Sequence, residues 1–254
     1  MSIPRFTAHP SRDVTAQAVS APSRDISLQQ RRYRSLWQTS DGQIQEAEQV
    51  APALPLFDAA HSAFAHGTLI ATTRGPVAVE DLLPGDCLTT TAHSALPLLW
   101  IGSMTLMPGG DGHNAARLTR IMADAFGISR PMADFMVGPG ARILTRPRNL
   151  RASTGTDQVL TPAHALADGQ HAFTIAPTRA VTLYHLCLRR HAVITANGLE
   201  VESFHPGANF ERQVGPNMLI RFLSFFPHIH EPHQFGPVCH MRLPLDAPDT
   251  LEVA

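Results

Sequence analysis

Polar and apolar positions alternate over Arg32–Thr39 and again over Gln43–Val50, with Asp41-Gly42 between the two runs. This predicts a β-hairpin whose two turn residues take positive φ. Ala51–Phe57 contains Pro52 and Pro55. It predicts an extended segment, because a residue before proline is pushed out of the α region. From Gly67 to about Gly207, short β-like runs recur between Gly and Pro punctuation: Thr68–Thr72, Leu98–Ile101, Ala141–Thr145, Ala180–Leu188 and Ala192–Thr195. Many short strands with frequent turn signals predict an all-β body. One short helix is expected within it, over Leu118–Ala125. The period then changes. Leu219, Phe222 and Phe226 follow an i, i+3, i+7 spacing, which predicts a helix over Met218–Phe226 that starts near Gly215 or Asn217 and stops at Pro227.

The pattern divides the chain into four parts. Residues 1–30 lack an apolar period and read as a mobile lead-in. Residues 31–59 hold the hairpin and an extended linker. Residues 60–207 form the β-body, and 208–254 the C-terminal helix and tail. Inside the body, Glu80-Asp81-Leu82-Leu83-Pro84-Gly85-Asp86 can be laid over His164-Ala165-Leu166-Ala167-Asp168-Gly169-Gln170, so that Leu82 meets Leu166 and Gly85 meets Gly169. A strand, a Leu plug and a Gly turn used twice would suit two pseudo-symmetric halves.

Composition narrows the functional classes. The formal charge is −1 over 254 residues, so no global electrostatic case exists for nucleic acid or an anionic membrane surface. Every basic residue is Arg, and clusters such as Arg31-Arg32, Arg142…Arg151 and Arg189-Arg190 read as solvated faces or local ion pairs. No run of about 18 apolar residues predicts a membrane-spanning helix. The N-terminus lacks the apolar core of a secretory signal. Cys87, Cys187 and Cys239 form neither a disulfide framework nor a Cys-x-x-Cys knuckle, which favours a reducing, cytoplasmic compartment and leaves signal-less export open. Pro108-Gly109-Gly110-Asp111-Gly112 reads as a flexible hairpin loop.

The 14 histidines are densest at His228-Ile229-His230-Glu231-Pro232-His233. Alternation on an extended strand would put His228 and His230 on one face, with His233 near, a set suited to Zn²⁺. The bland reading is a proline-disrupted tail with solvent-facing imidazoles, and the spacing completes no four-ligand pattern.

The stretch Phe64-Ala65-His66-Gly67-Thr68 through Leu82-Leu83-Pro84-Gly85-Asp86 resembles the opening of a Hint domain, the self-processing module of Hedgehog proteins and inteins, as found in bacterial Hint-domain proteins. Two further blocks carry the likeness. Phe135–Leu144 is similar to the family's Thr/Ser-x-x-His block, and Leu183–Phe204 to its closing block. The resemblance implies an all-β, intein-like pseudo-two-fold fold. It also implies a site in which a thiol or hydroxyl attacks the preceding carbonyl while the second block polarises the amide and protonates the leaving nitrogen. At the implied positions this chain has Ala63 for the nucleophile, Gly138 and Ala141 for the Thr/Ser and His, Arg189 for an Asp, and Glu202 and Ser203 for the terminal His-Asn pair. Turn and strand residues persist while each reactive position differs. The expectation is a catalytically degenerate Hint protein that needs no cofactor and is retained as a binding or structural module with a protein partner. The alternatives are self-cleavage through a displaced nucleophile, using Ser62 or His164 of Thr161-Pro162-Ala163-His164, and a metal-binding module.

Overall fold

The computed structural model describes residues 29–92, 95–108, 117–147 and 150–244. The expected lead-in over residues 1–30 and the glycine loop after Pro108 lie almost wholly outside them.

The chain opens as the predicted hairpin, β1 (Gln30–Gln38) and β2 (Ile44–Pro52), paired antiparallel from Gln30↔Pro52 to Gln38↔Ile44. Its turn differs from the expected one. Gly42 takes positive φ at 83° whereas Asp41 does not. The Gly42 N–H donates to Thr39 O at 2.9 Å, and the Thr39 N–H donates to Gln43 O at 2.9 Å. A longer loop with one left-handed glycine closes the hairpin, a frequent alternative to the two-residue turn.

The extended linker is also corrected. Pro55 begins a helix, α1 (Pro55–His61). Proline suits the first helical position, where its missing N–H has no intrahelical partner to lose. Phe57, Ala60 and His61 form the buried face. The Tyr33 hydroxyl donates to Asp58 Oδ1 at 2.6 Å, and Arg31 pairs with the same carboxylate, tying helix to hairpin.

Two series of elements follow in the same order. The first runs β3 (Phe64–Ala65), β4 (Leu69–Thr72), β5 (Gly75–Ala78), a 3-10 turn at Val79–Asp81, β6 (Cys87–Leu88) and the long β7 (Leu96–Leu106). After β8 (Leu118–Ile121), the second runs β9 (Phe135–Val137), β10 (Arg142–Thr145), the short α2 (Leu150–Thr154), β11 (Val159–Pro162), a 3-10 turn at Ala163–Leu166, β12 (Ala172–Ile175) and β13 (Val181–Leu188). The Leu–Gly echo falls on matching places. Leu82 and Leu166 are both buried, and Gly85 and Gly169 both take positive φ. The long strands of the two halves pair antiparallel, His185↔Gly102 among them, and Phe64 pairs with Val137. This is an all-β fold of fifteen strands among the described residues.

The helix expected over Leu118–Ala125 is instead β8 and a turn. Leu118, Thr119 and Ile121 are buried, whereas Arg120 points out to Asp134. Pairing with β9 and β12 on both sides overrides the local helical pattern.

β14 (Val193–Ala196) and β15 (Leu199–Glu202) close the body, and α3 (Pro216–Leu223) follows with Gly215 at its N-cap. The helix starts two residues earlier than expected and ends at Leu223 rather than Phe226, but the predicted residues are buried: Phe222 and Phe226 fully and Leu219 by half. Phe222 meets Phe57, Phe210 and Phe226 with ring centroids 5.1–5.7 Å apart. The Trp100 indole N–H donates to Phe225 O at 2.7 Å. The N-terminal hairpin, α1 and α3 thereby share one aromatic core on the outer side of β7 and β13.

Candidate functional site

Helix α1 delivers the chain into the body at Ser62-Ala63, and its last carbonyls face three glycines. A Cβ on Gly102 would stand 2.8 Å from Ala60 O, one on Gly140 2.5 Å from Ala59 O, and one on Gly138 2.2 Å from Ser62 O. Backbone passes through spaces that only glycine leaves open. The Ser62–Ala63 peptide is then pinned. Ala63 N–H donates to Tyr184 O at 2.8 Å, Gly138 N–H to Ala63 O at 2.9 Å, and Gly140 N–H to Ser62 O at 3.0 Å.

The last of these bonds places one fixed donor on the carbonyl where an acyl transfer would build negative charge. The other chemical parts are missing. Ala63 and Ala141 are buried methyl groups, and Gly138 has no side chain. Ala141 is tied by its own backbone, its N–H to Gly138 O at 3.1 Å and its O from Ala163 N–H at 3.0 Å. Gly138 thus meets the Ser62–Ala63 peptide through its backbone, and Ala141 follows three residues on, bonded to Gly138 O.

Two imidazoles lie sealed nearby. His185 Nδ1–H donates to Ala59 O at 2.6 Å and His61 Nδ1–H to Phe57 O at 2.8 Å, so each Nε2 is a bare acceptor, and neither has a partner. Burial pushes His185 down to about 4 and His61 down to about 3. Both are neutral near pH 7. The Ser62 hydroxyl is likewise buried without a partner.

Glu202 ends β15 and Ser203 follows it. Ser203 is structural: its N–H donates to Ala192 O at 2.9 Å, and its Oγ accepts from Ala192 N–H at 3.0 Å. Glu202 is buried. Its Oε1 accepts from Arg242 Nε at 2.6 Å, and His191 Nε2 lies 2.9 Å away, off the line of a straight hydrogen bond. Burial works to raise the Glu202 carboxyl, but the His191 contact and the Arg242 and Arg142 charges outweigh it and hold the carboxyl below its ordinary value.

The remaining candidates do not join this site. Arg189 is exposed at the bend after β13. His164 is exposed on its 3-10 turn, and Thr161 spends its hydroxyl on Thr145 Oγ1 at 2.6 Å, so the Thr-x-x-His text does not converge on Ser62. The histidine set of the tail is not gathered either. Glu231 caps a 3-10 turn that Pro232 begins, which breaks the extended alternation the reading needs. His228 packs beside Phe226, His230 is exposed, and His233 Nδ1 lies 3.1 Å from Glu231 Oε2. Among the described residues, no three or more His, Cys, Asp or Glu side chains are arranged to hold a metal. Nor is any helix there long and apolar enough to cross a membrane.

Sequence reasoning missed His61 and Arg242. His61 had a signal: it stands four residues after Phe57, on the same helix face. Arg242 had none, because it reaches Glu202 across 40 residues of chain.

A search of curated proteins found no match. Among solved structures, a bacterial intein-like domain from Clostridium thermocellum aligns at 12% identity, covering 57% of this chain and 99% of that one, with a TM-score of 0.39. Residues 62–208 match the profile of the Hint domain, which begins at the pinned Ser62–Ala63 peptide and ends just past the closing strands. The chain therefore belongs to the Hint domain family.

Proposed function

We propose that this Hint-domain chain no longer processes itself and serves as a binding module on the retained scaffold. The observation that supports the reading is the Ser62–Ala63 peptide, gripped by Gly138 and Gly140 N–H groups, with only buried methyls at Ala63 and Ala141. A methyl can neither attack a carbonyl nor protonate a leaving nitrogen. Loss of a single group could be bypassed; here nucleophile and proton donor are absent together. The upstream segment also fits a non-processing role, because Tyr33, Phe57 and Ala60 are built into the same core as Phe222 and Phe226. A cut at Ala63 would leave that segment docked.

One observation favours a second reading. The Ser62 hydroxyl and the Nε2 atoms of His61 and His185 are buried and unpartnered. In that reading Ser62 Oγ attacks the His61 carbonyl carbon, the Ser62 nitrogen leaves with the hydroxyl proton, and water cleaves the resulting ester. Intact-mass measurement of the full chain after long incubation, with and without thiol, separates the two. Unchanged mass supports the binding module. A fragment beginning at Ser62, abolished by Ser62→Ala, would establish the displaced nucleophile.

A further inference from the structure

A cavity of about 330 Å³ opens between the start of α1, the chain after β15 and α3. Leu54, Leu56, Phe210 and Met218 make much of its wall apolar, and no acidic residue lines it. Two arginines reach it. Arg242 is committed, with Nε on Glu202 and a terminal nitrogen donating to His205 O at 2.7 Å. Arg142 is not. Its Nε is sealed from solvent with no partner, and among the described residues its guanidinium has neither hydrogen bond nor ion pair. Two guanidinium charges thus share the carboxylate of Glu202, and the unmatched one borders an apolar space. Arg242 makes the hydrogen bond to Glu202, so the Arg142 guanidinium keeps unused donors at the cavity wall.

We propose that this cavity binds a small amphipathic monocarboxylate, its carboxylate on Arg142 and its apolar body between Leu56, Phe210 and Met218. The planar guanidinium matches a carboxylate in two parallel hydrogen bonds. One excess positive charge is balanced by a monoanion, whereas a phosphate dianion would bury a new unmatched charge. The volume lies at the small end of ligand pockets, which run about 300–1,000 Å³. The inference builds on the binding-module reading and names its ligand class. The carboxylate can come from a free medium-chain acid or from the C-terminus of an apolar peptide.

Calorimetric titration of the full chain near pH 7 tests it with octanoate, acetyl-Leu-Phe acid and, as the uncharged control, octanamide. At least one of the two acids should saturate, and which one does so identifies the source. Octanamide should bind at least about tenfold more weakly. Arg142→Met should remove binding with little change in melting temperature, because the arginine has no hydrogen bond to lose and Arg242 stays on Glu202. Met218→Trp should weaken binding by narrowing the cavity while leaving Arg142 in place, and it decides the matter if Arg142→Met does not fold. The proposal is overturned if neither acid saturates, if octanamide matches them, or if both variants bind like the parent. Intact mass recorded on the same samples keeps the readings apart. An uncleaved chain that binds nothing overturns the ligand site alone.

Discussion

The carbonyl oxygen of Ser62 lies 2.2 Å from the point where a Cβ on Gly138 would stand. The resemblance lays Gly138 on a Thr or Ser of the family pattern. Here the space for that side chain is filled by the carbonyl it would act upon, and Gly138 N–H simultaneously holds Ala63 O. The backbone has closed over the position, so a polar side chain cannot return there without moving α1.

Gly138→Ser is therefore expected to destabilise the fold by several kcal/mol, about the size reserved for backbone clashes in a core. Chemical denaturation measures it. A loss below about 0.5 kcal/mol would mean that the Ser62 carbonyl moves aside freely.

Ala63→Cys supplies a thiol beside a carbonyl already holding one donor, but no group to protonate the leaving nitrogen. The single variant should stay intact with added thiol. Ala63→Cys with Ala141→His rebuilds attack and protonation and is the sharper test. It should remain slow, since Ala141 is fully packed and Arg189, which the resemblance lays on the family's Asp, is exposed. Mass spectrometry over days reads both, and rapid cleavage by the single variant would contradict the account.

Phe222→Ala should reduce stability by about 3–5 kcal/mol, the usual range for deleting a fully buried ring. Phe222 is fully buried and touches rings from α1, the segment after β15, and the turn after α3. Ile220 on the same helix is exposed, and Ile220→Ala should change stability by less than about 0.5 kcal/mol. Equal effects at the two positions would show that the α3 face is not docked in solution.

Acid should destabilise the protein well before ordinary carboxylates titrate. Burial lowers His185 to about 4, His61 to about 3 and His205 to about 4, against an unfolded value of about 6.5. Between these limits the unfolded chain binds more protons than the folded one, so stability falls as pH drops from about 6.5. Glu202, lowered in the fold, adds loss of the same sign below the unfolded carboxylate range. Melting temperature against pH should slope downward from near 6.5, and His185→Gln should make that slope shallower. A flat profile between pH 6.5 and 4.5 would refute this.

Thiol labelling gives an independent check on the packing. Cys87 and Cys239 are exposed and Cys187 is buried in the aromatic core, its thiol pushed up to about 12. Burial also raises Cys239, to about 11. A maleimide on native protein should modify Cys87 first, Cys239 more slowly, and Cys187 only after unfolding.

The β-body and the C-terminal helix were legible in the chain because their causes are local. Positive φ at Gly85 and Gly169, buried leucines three residues before each, and a 3.6 period through Leu219, Phe222 and Phe226 are all written in adjacent residues. The assignment of Ala63, Gly138 and Ala141 to the reactive positions likewise rests on adjacent residues, the Gly67-Thr68 pair and the Phe135–Leu144 block. Three elements were misread where competing forces were non-local or balanced. β8 is a strand because two partner strands claim it, the Asp41-Gly42 turn needs one left-handed residue rather than two, and Pro55 starts a helix because α1 has a core to bury Phe57 and His61 against. Only the tertiary structure decided which glycines matter and which charges are matched. Ser62 O meets Gly138 across 76 residues, and Arg242 donates a hydrogen bond to Glu202 while Arg142, which shares that charge, has none among the described residues. Close backbone approach and charge pairing depend on distances in space, and no period along the chain encodes them.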